Sequence, residues 1–161
     1  MTPAYAERRL ITAGAEETEA LGARLGRTAP AGGLLGLIGE LGAGKTCLVR
    51  GLAAGLGADP STVHSPSFTI VTAYEGGRHP LAHVDLYRLE PNQLDELFFR
   101  DVLFGNGVAA VEWYDRLGPI SDEALIVEIG YAPQGRRRIR LTPQGARHAG
   151  WLTAALDERS E

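Results

Sequence analysis

Residues 39–46 read Gly39-Glu40-Leu41-Gly42-Ala43-Gly44-Lys45-Thr46 and match the phosphate-loop pattern G-x-x-x-x-G-K-S/T. The apolar stretch from Leu34 to Ile38 precedes this loop and is typical of a strand covered on both faces in a parallel sheet. The stretch from Lys45 to Leu56 follows the loop, carries an apolar helical face and is ended by Gly57. A strand, a glycine-rich loop and a helix in this order predict an α/β fold with an anion site at the start of the helix.

The chemistry of the loop predicts a nucleotide site. Backbone N–H groups from Gly42 to Thr46 are expected to point into one concavity, and the start of the helix adds a partial positive charge. We expect Lys45 to reach the β- and γ-phosphates and the Thr46 hydroxyl to bind Mg²⁺. The predicted ligand is ATP or ADP with Mg²⁺. The loop residues expected to contact it are Glu40, Leu41, Gly42, Ala43, Gly44, Lys45, Thr46 and Cys47.

Lys45 is the only lysine among the 16 basic residues of the chain, and all the others are arginines. A phosphate loop needs a slim ammonium on a flexible stem, and a planar guanidinium does not fit there. The alternative is a glycine-rich turn between a strand and a helix with an exposed lysine. The complete motif around Lys45 favours phosphate binding.

The rest of the chain predicts one α/β domain over residues 1–161, with a sheet that is part parallel and part antiparallel. The hairpin signal Gly76-Gly77 and the turn signal Pro133-Gln134-Gly135 each join two strands. The predicted strands are Arg9–Thr12, Leu34–Ile38, Thr69–Tyr74, Leu81–Asp85, Val108–Val111, Ala124–Gly130 and Arg137–Leu141, and the predicted helices are Ala15–Arg27, Lys45–Leu56, one that opens over Pro91–Leu97, and Gln144–Leu156.

Composition indicates the cellular compartment of the protein and the kinds of partner it can bind. A net charge of −4 argues against non-specific coating of nucleic acid, which needs a basic surface. Cys47 is the single cysteine, which suits a reducing cytoplasm. Residues 1–10 lack an apolar signal core, and no apolar run approaches the length of a membrane helix. A cytoplasmic protein without a membrane partner is expected.

Two apolar stretches end in an acid, Asp85 and Glu112, and a phosphoryl-transfer site needs a carboxylate to hold Mg²⁺ or to orient water. Strand ends in a parallel sheet lie beside the phosphate loop, so either acid fits, and Glu112 ranks first because its strand is the more apolar. The alternative is a solvated acid at a strand end. Ser67 and Thr69 are candidate switch hydroxyls near the γ-phosphate, with an ordinary turn before a strand as the alternative. Trp113 either stacks on a base or belongs to the core or to an interface.

Other patterns are weaker. Arg136, Arg138 and Arg140 alternate, which favours an exposed edge strand kept soluble by charge over a surface for RNA or an acidic partner. A D-x-x-G pattern at 115–118 follows an N-K-x-D-like segment at 92–95, which is the reverse of the order in GTPases. A small-molecule kinase remains the alternative, although residues 97–106 contain one arginine and no convincing lid.

Four motifs together resemble the bacterial TsaE (YjeE) ATPase family of tRNA threonylcarbamoyladenosine biosynthesis. They are the loop at 39–46, the segments Ser65-Pro66-Ser67-Phe68-Thr69 and His83-Val84-Asp85-Leu86-Tyr87-Arg88, and the pair Glu112-Trp113. The resemblance implies a three-layer P-loop NTPase-like fold with an incomplete mixed sheet. It also implies slow ATP hydrolysis that the partner proteins TsaD and TsaB stimulate during modification of tRNA adenosine 37. Direct contact with tRNA stays open.

The resemblance also implies roles for single residues. Lys45 becomes a catalytic phosphate ligand and Thr46 a Mg²⁺ ligand. Glu112 becomes a Mg²⁺ or catalytic carboxylate, Asp85 an essential acid nearby, and Trp113 a site residue. The chain departs from the family at two positions, with Ser67 where Thr is common and Tyr114 where Pro commonly follows the Glu-Trp pair.

Overall fold

The computed structural model describes residues 5–40, 42–64, 71–88, 105–116, 121 and 123–158, and within them seven strands and three α-helices form an α/β fold. The strands are β1 (Arg8–Thr12), β2 (Leu34–Gly39), β3 (Val71–Tyr74), β4 (Leu81–Asp85), β5 (Val108–Glu112), β6 (Leu125–Tyr131) and β7 (Arg137–Pro143). The helices are α1 (Ala15–Thr28), α2 (Lys45–Leu56) and α3 (Ala146–Asp157).

The strands form one mixed sheet in the order β1-β7-β6-β2-β5-β4-β3. The four central strands β6, β2, β5 and β4 are parallel, while β7 and β1 on one side and β3 on the other are antiparallel to their neighbours. Every residue of β5 is buried, as expected for a strand that is covered on both faces. The predicted α/β class and mixed sheet are confirmed.

The register of the central strands brings the two predicted acids together. Leu37 of β2 lies opposite Glu112, and Asp85 of β4 lies opposite the same Glu112. Because β2 continues into the phosphate loop, that loop begins at the carboxyl end of the central parallel strands. Glu112 and Asp85 lie at the carboxyl ends of β5 and β4, next to the loop.

Helices α1 and α2 pack closely through glycine. A Cβ on Gly22 would lie 2.1 Å from the Leu48 carbonyl oxygen, and a Cβ on Gly51 would lie 1.9 Å from the Glu19 carbonyl oxygen. Side chains at these positions would force the helices apart, so the glycines determine how closely α2, which begins at the phosphate loop, packs against α1.

Two apolar clusters lie on the two faces of the sheet. One packs all three described helices against β2, β5, β6 and β7, around residues such as Leu25, Leu52 and Trp151. The other includes Leu34 and Val111 and lies on the opposite face. None of the helices in the described part of the chain has the length and apolar character to cross a bilayer.

The prediction that the arginine-rich β7 is an edge strand is wrong, since β7 pairs with both β6 and β1, and β1 forms the edge. The alternating arginines could not predict that β1, a strand from the start of the chain, pairs with β7. The helix predicted from Pro91 lies outside the described residues.

His148 of α3 links that helix to the start of β2. Its buried ring accepts a hydrogen bond from the Leu34 N–H at 3.1 Å, and its Nδ1–H donates to the Gln144 carbonyl at 3.2 Å. Burial lowers the pKa of His148 and nearby Arg147 adds to this, against the Gln144 hydrogen bond and the charge of Glu123. The neutral ring is therefore the form that fits the fold.

The lowered pKa of His148 predicts a pH-dependent stability. The unfolded chain takes up a proton more readily than the folded one does. The free energy of unfolding is therefore highest above pH 6.5 and decreases as the pH falls below that value. We expect His148→Gln to flatten the slope of the unfolding free energy between about pH 7.5 and about pH 5.5. Urea titrations at several pH values measure this slope, with the exposed His64→Gln as the control. Equal slopes in all three proteins would contradict the prediction.

Candidate functional site

The loop between β2 and α2 has the backbone of an anion nest. Gly42 and Gly44 have φ angles of +80° and +118°, in the left-handed region that favours glycine. The Gly44 carbonyl accepts the Leu48 N–H at 3.0 Å and so starts α2, which leaves the first amides of the helix without intrahelical partners. Leu41 lies outside the described residues.

Lys45 is buried at the start of α2, with 5% of its surface exposed. Its ammonium donates to the Gly39 carbonyl and, at 3.1 Å, to the Glu40 carbonyl. It also lies over the ring of Trp113, 4.0 Å from the centroid. Burial lowers the pKa of Lys45, although the surrounding carboxylates, first Glu112, oppose the shift. A buried cation at the mouth of the loop suits an anionic ligand.

Thr46 and Glu112 meet across the site although 66 residues separate them in sequence. The Thr46 hydroxyl donates to Glu112 Oε2 at 3.2 Å, and Oε1 lies 3.5 Å away. Glu112 is 3% exposed and also accepts a hydrogen bond from Nε2 of His83. A hydroxyl and a carboxylate side by side are the hard oxygen donors that Mg²⁺ prefers.

Asp85 lies beside Glu112 at the end of β4 and is 9% exposed. Its Oδ1 accepts the Tyr87 N–H at 2.8 Å, which ties the carboxylate to the chain that leaves the strand. Burial raises the pKa of Asp85, and the charge of Glu112 adds to the shift, while the Tyr87 hydrogen bond and Lys45 oppose it. The ranking of Glu112 ahead of Asp85 agrees with the direct contact that only Glu112, of these two acids, makes with Thr46 in the described residues.

Trp113 adopts a left-handed backbone with φ of +59°, which is uncommon for a bulky residue. Its ring packs against Tyr87 at a centroid distance of 4.8 Å. An open cavity of about 420 Å³ lies beside it and is lined by Ile38, Gly39, Glu40, Trp113 and Asp115. The strained turn directs the ring toward the phosphate loop, and strain of this kind is concentrated at functional sites.

Comparison with known proteins assigns the chain to a family. A family model described as threonylcarbamoyl adenosine biosynthesis protein TsaE matches residues 12–139. The chain belongs to the TsaE family.

Individual TsaE proteins match most of the chain. The tRNA threonylcarbamoyladenosine biosynthesis protein TsaE of Nostoc sp. is 39% identical over 139 residues, which are 84% of this chain and 85% of the relative. The protein of the same name from Bacillus subtilis is 38% identical over 138 residues, 85% of this chain and 86% of the relative. The crystal structure of Bacillus subtilis YdiB is similar, with a TM-score of 0.78, 30% identity and coverage of 96% and 97% of the two chains.

In this member of the TsaE family, the structure brings Lys45, Thr46, Glu112, Asp85 and Trp113 to one edge of the sheet, as the sequence predicts. Two other predictions end differently. The candidates Ser67 and Thr69 lie outside the described residues. Cys47, interpreted as a small buried residue, is partly exposed, and its thiol donates to the Ala15 carbonyl at 3.1 Å because it lies on the side of α2 that faces α1.

Sequence reasoning missed an arginine that holds the phosphate loop. Arg137, at the start of β7, donates from Nε to the Ala43 carbonyl at 2.9 Å and lies over the Tyr131 ring at 4.6 Å from its centroid. A Cβ on Gly42 would lie 3.1 Å from the Tyr131 hydroxyl, so the β6–β7 turn packs directly on the loop. The only signal was the run of arginines, which drew attention to Arg136, Arg138 and Arg140 on the other face.

Arg137→Met is expected to weaken nucleotide binding by a few-fold to about tenfold, since the loss of a charged hydrogen bond frees the Ala43 peptide to rotate. Titration with ADP and Mg²⁺ measures the change. Arg138→Met is the matched control, because Arg138 is the next residue, is exposed and points to the opposite side of the strand. Equal affinities in the two variants would show that Arg137 does not support the loop.

Proposed function

We propose that this chain is a P-loop ATPase that binds ATP or ADP with Mg²⁺ and hydrolyses ATP slowly, as an accessory component of the tRNA threonylcarbamoyladenosine modification system. The observation that carries the proposal is the contact between Thr46 and Glu112 at the mouth of a loop that already holds a buried Lys45. A hydroxyl, a carboxylate and an ammonium around an anion nest are the parts that phosphoryl transfer to water needs.

The donor set fits Mg²⁺. Thr46 and Glu112 would hold the ion, since their oxygens already lie 3.2 Å apart and are hard donors. When bound, Mg²⁺ would neutralise the negative charge on the phosphates and the charge that develops during transfer.

The protein groups supply the remaining steps. The ammonium of Lys45 exchanges the Gly39 and Glu40 carbonyls for phosphate oxygens, and the amides of the loop bind the rest of the triphosphate. Glu112, Asp85 or both orient the attacking water, because both carboxylates end at this edge of the sheet. The side chains of Lys45, Asp85 and Glu112 are buried, which strengthens their electrostatic contacts with the bound nucleotide.

The accessory role is supported by membership of the TsaE family, whose description names threonylcarbamoyl adenosine biosynthesis. The proposed partners are TsaD and TsaB, with ATP turnover resetting their complex between rounds, and the proposed setting is the reducing cytoplasm. A small-molecule kinase is the alternative, and the family assignment argues against it.

Hydrolysis assays with and without the partners test the proposal. We expect weak phosphate release from the chain alone and a clear rise when purified TsaD and TsaB are added at saturating concentration. An unchanged rate would contradict the accessory role. ADP release that depends on an added metabolite acceptor, with no free phosphate, would favour the kinase.

A further inference from the structure

We propose that His83 is a positioning residue that holds the Glu112 carboxylate in the orientation required for Mg²⁺. The inference rests on the proposed function and extends it to a residue that does not itself contact the nucleotide or the ion. Its Nε2 bonds Glu112 Oε2, and the same oxygen accepts the Thr46 hydroxyl. Three side chains from β4, β5 and α2 thus form one hydrogen-bonded chain.

The sheet register explains how His83 reaches Glu112. His83 lies opposite Ala110 on β5, and Glu112 lies two residues further along on the same face. The small Ala110 leaves space above it, so the imidazole leans diagonally toward Glu112. The His83 side chain is fully buried, with the Tyr74 ring at a centroid distance of 6.4 Å. Packing therefore leaves the ring little freedom to turn away.

In the described part of the chain, the two ring nitrogens of His83 differ, since Nε2 contacts Glu112 and Nδ1 does not have a partner. Nδ1 is buried and has no hydrogen-bond partner in the described part of the chain. An unpaired buried nitrogen is costly, and a leucine would fill the space without that cost. The compensating benefit lies at Nε2, whose N–H donates to the Glu112 carboxylate.

Loss of this donor would free Glu112 to rotate and would deprive its Oε2 of one of two hydrogen bonds. Groups that orient a metal ligand in this way typically contribute about 10- to 100-fold to metal affinity or activity. The effect of His83 should therefore appear in the Mg²⁺-dependent part of nucleotide binding, and not in the part that persists in EDTA.

Substitutions of graded reach test the proposal. In His83→Gln the amide nitrogen extends to the position of Nε2, whereas in His83→Asn it extends only to that of Nδ1, and His83→Leu has no donor. ADP affinity is measured for each protein with Mg²⁺ and with EDTA. The quantity compared is the ratio of the ADP affinity with Mg²⁺ to the ADP affinity in EDTA. We expect this ratio to fall by about tenfold or more in His83→Leu and His83→Asn. In His83→Gln it should stay within about threefold of the wild-type ratio.

The outcomes separate the two claims. If the wild-type protein gains no ADP affinity from Mg²⁺, the proposed function fails. If it gains affinity and all variants gain equally, or if Gln loses as much as Leu, the positioning role of His83 is overturned. A purely structural role would lower the melting temperature without changing the ratio of the two affinities.

A spectroscopic measurement that needs no substitution at His83 covers the case in which the His83 variants do not fold. Nitrogen chemical shifts of the four histidine rings report which nitrogen carries the proton. We expect His83 to carry it on Nε2 and its Nε2 signal to move in Glu112→Gln. A proton on Nδ1 alone would overturn the proposal, because Nε2 would then have no hydrogen to donate.

Discussion

Glu112→Gln will lower the rate of ATP hydrolysis by about 100-fold or more while leaving the fold intact. Glutamine keeps the shape of the side chain and an oxygen that accepts from His83 and Thr46. It removes the negative charge that the metal and the attacking water require. Phosphate release under saturating ATP and Mg²⁺ measures the loss, and thermal melting measures the fold.

Glu128→Gln is the matched control for this prediction. Glu128 lies opposite Ile38 and on strand β6, which is separated from β5 by β2, and its carboxylate pairs with Arg140 at the surface. The control should hydrolyse ATP at the wild-type rate. A Glu112→Gln protein that keeps a third or more of the wild-type rate would exclude Glu112 as the essential carboxylate and favour a nucleotide-binding scaffold with incidental turnover.

Lys45→Met will weaken ADP binding by about 10- to 100-fold, because each hydrogen bond from the ammonium to phosphate is charge-assisted. The apolar stem is retained, so the change isolates the charged group. The variant should be at least as stable as the wild type, since burial already disfavours the ammonium and lowers its pKa. Calorimetric titration and thermal melting test the two parts separately.

Lys45→Arg is expected to restore little of this affinity, because the rigid guanidinium has no room where Lys45 is only 5% exposed. Arg27→Met controls for the loss of one positive charge, since Arg27 pairs with Glu158 on the surface at the end of α1. Unchanged ADP affinity in Lys45→Met would contradict the assignment of the loop.

Local signals predicted the elements that carry the loop. The start and end of α2 match the prediction because the motif marks the first turn and Gly57 supplies a left-handed C-cap with φ of +96°. β2 extends one residue further than predicted, to Gly39. The acids were found because an apolar run followed by a carboxylate is a local pattern.

The residues that sequence reasoning missed depend on which strands are neighbours. His83 is a residue inside β4 that gains its role only because β4 lies beside β5, and Arg137 gains its role because β7 begins beside the phosphate loop. The error about β7 has the same origin, since its partner β1 is more than 120 residues away in sequence. Strand order and register are set by packing of the whole sheet, which no local pattern contains.

Equilibrium titration of the wild-type chain with ATP measures whether the phosphate loop binds a nucleotide. With Mg²⁺ present, we expect saturable binding of one ATP per chain, weaker binding in EDTA and competition by ADP. No saturable uptake of ATP or ADP in the presence of Mg²⁺ would contradict the nucleotide site and, with it, the proposed enzymatic role.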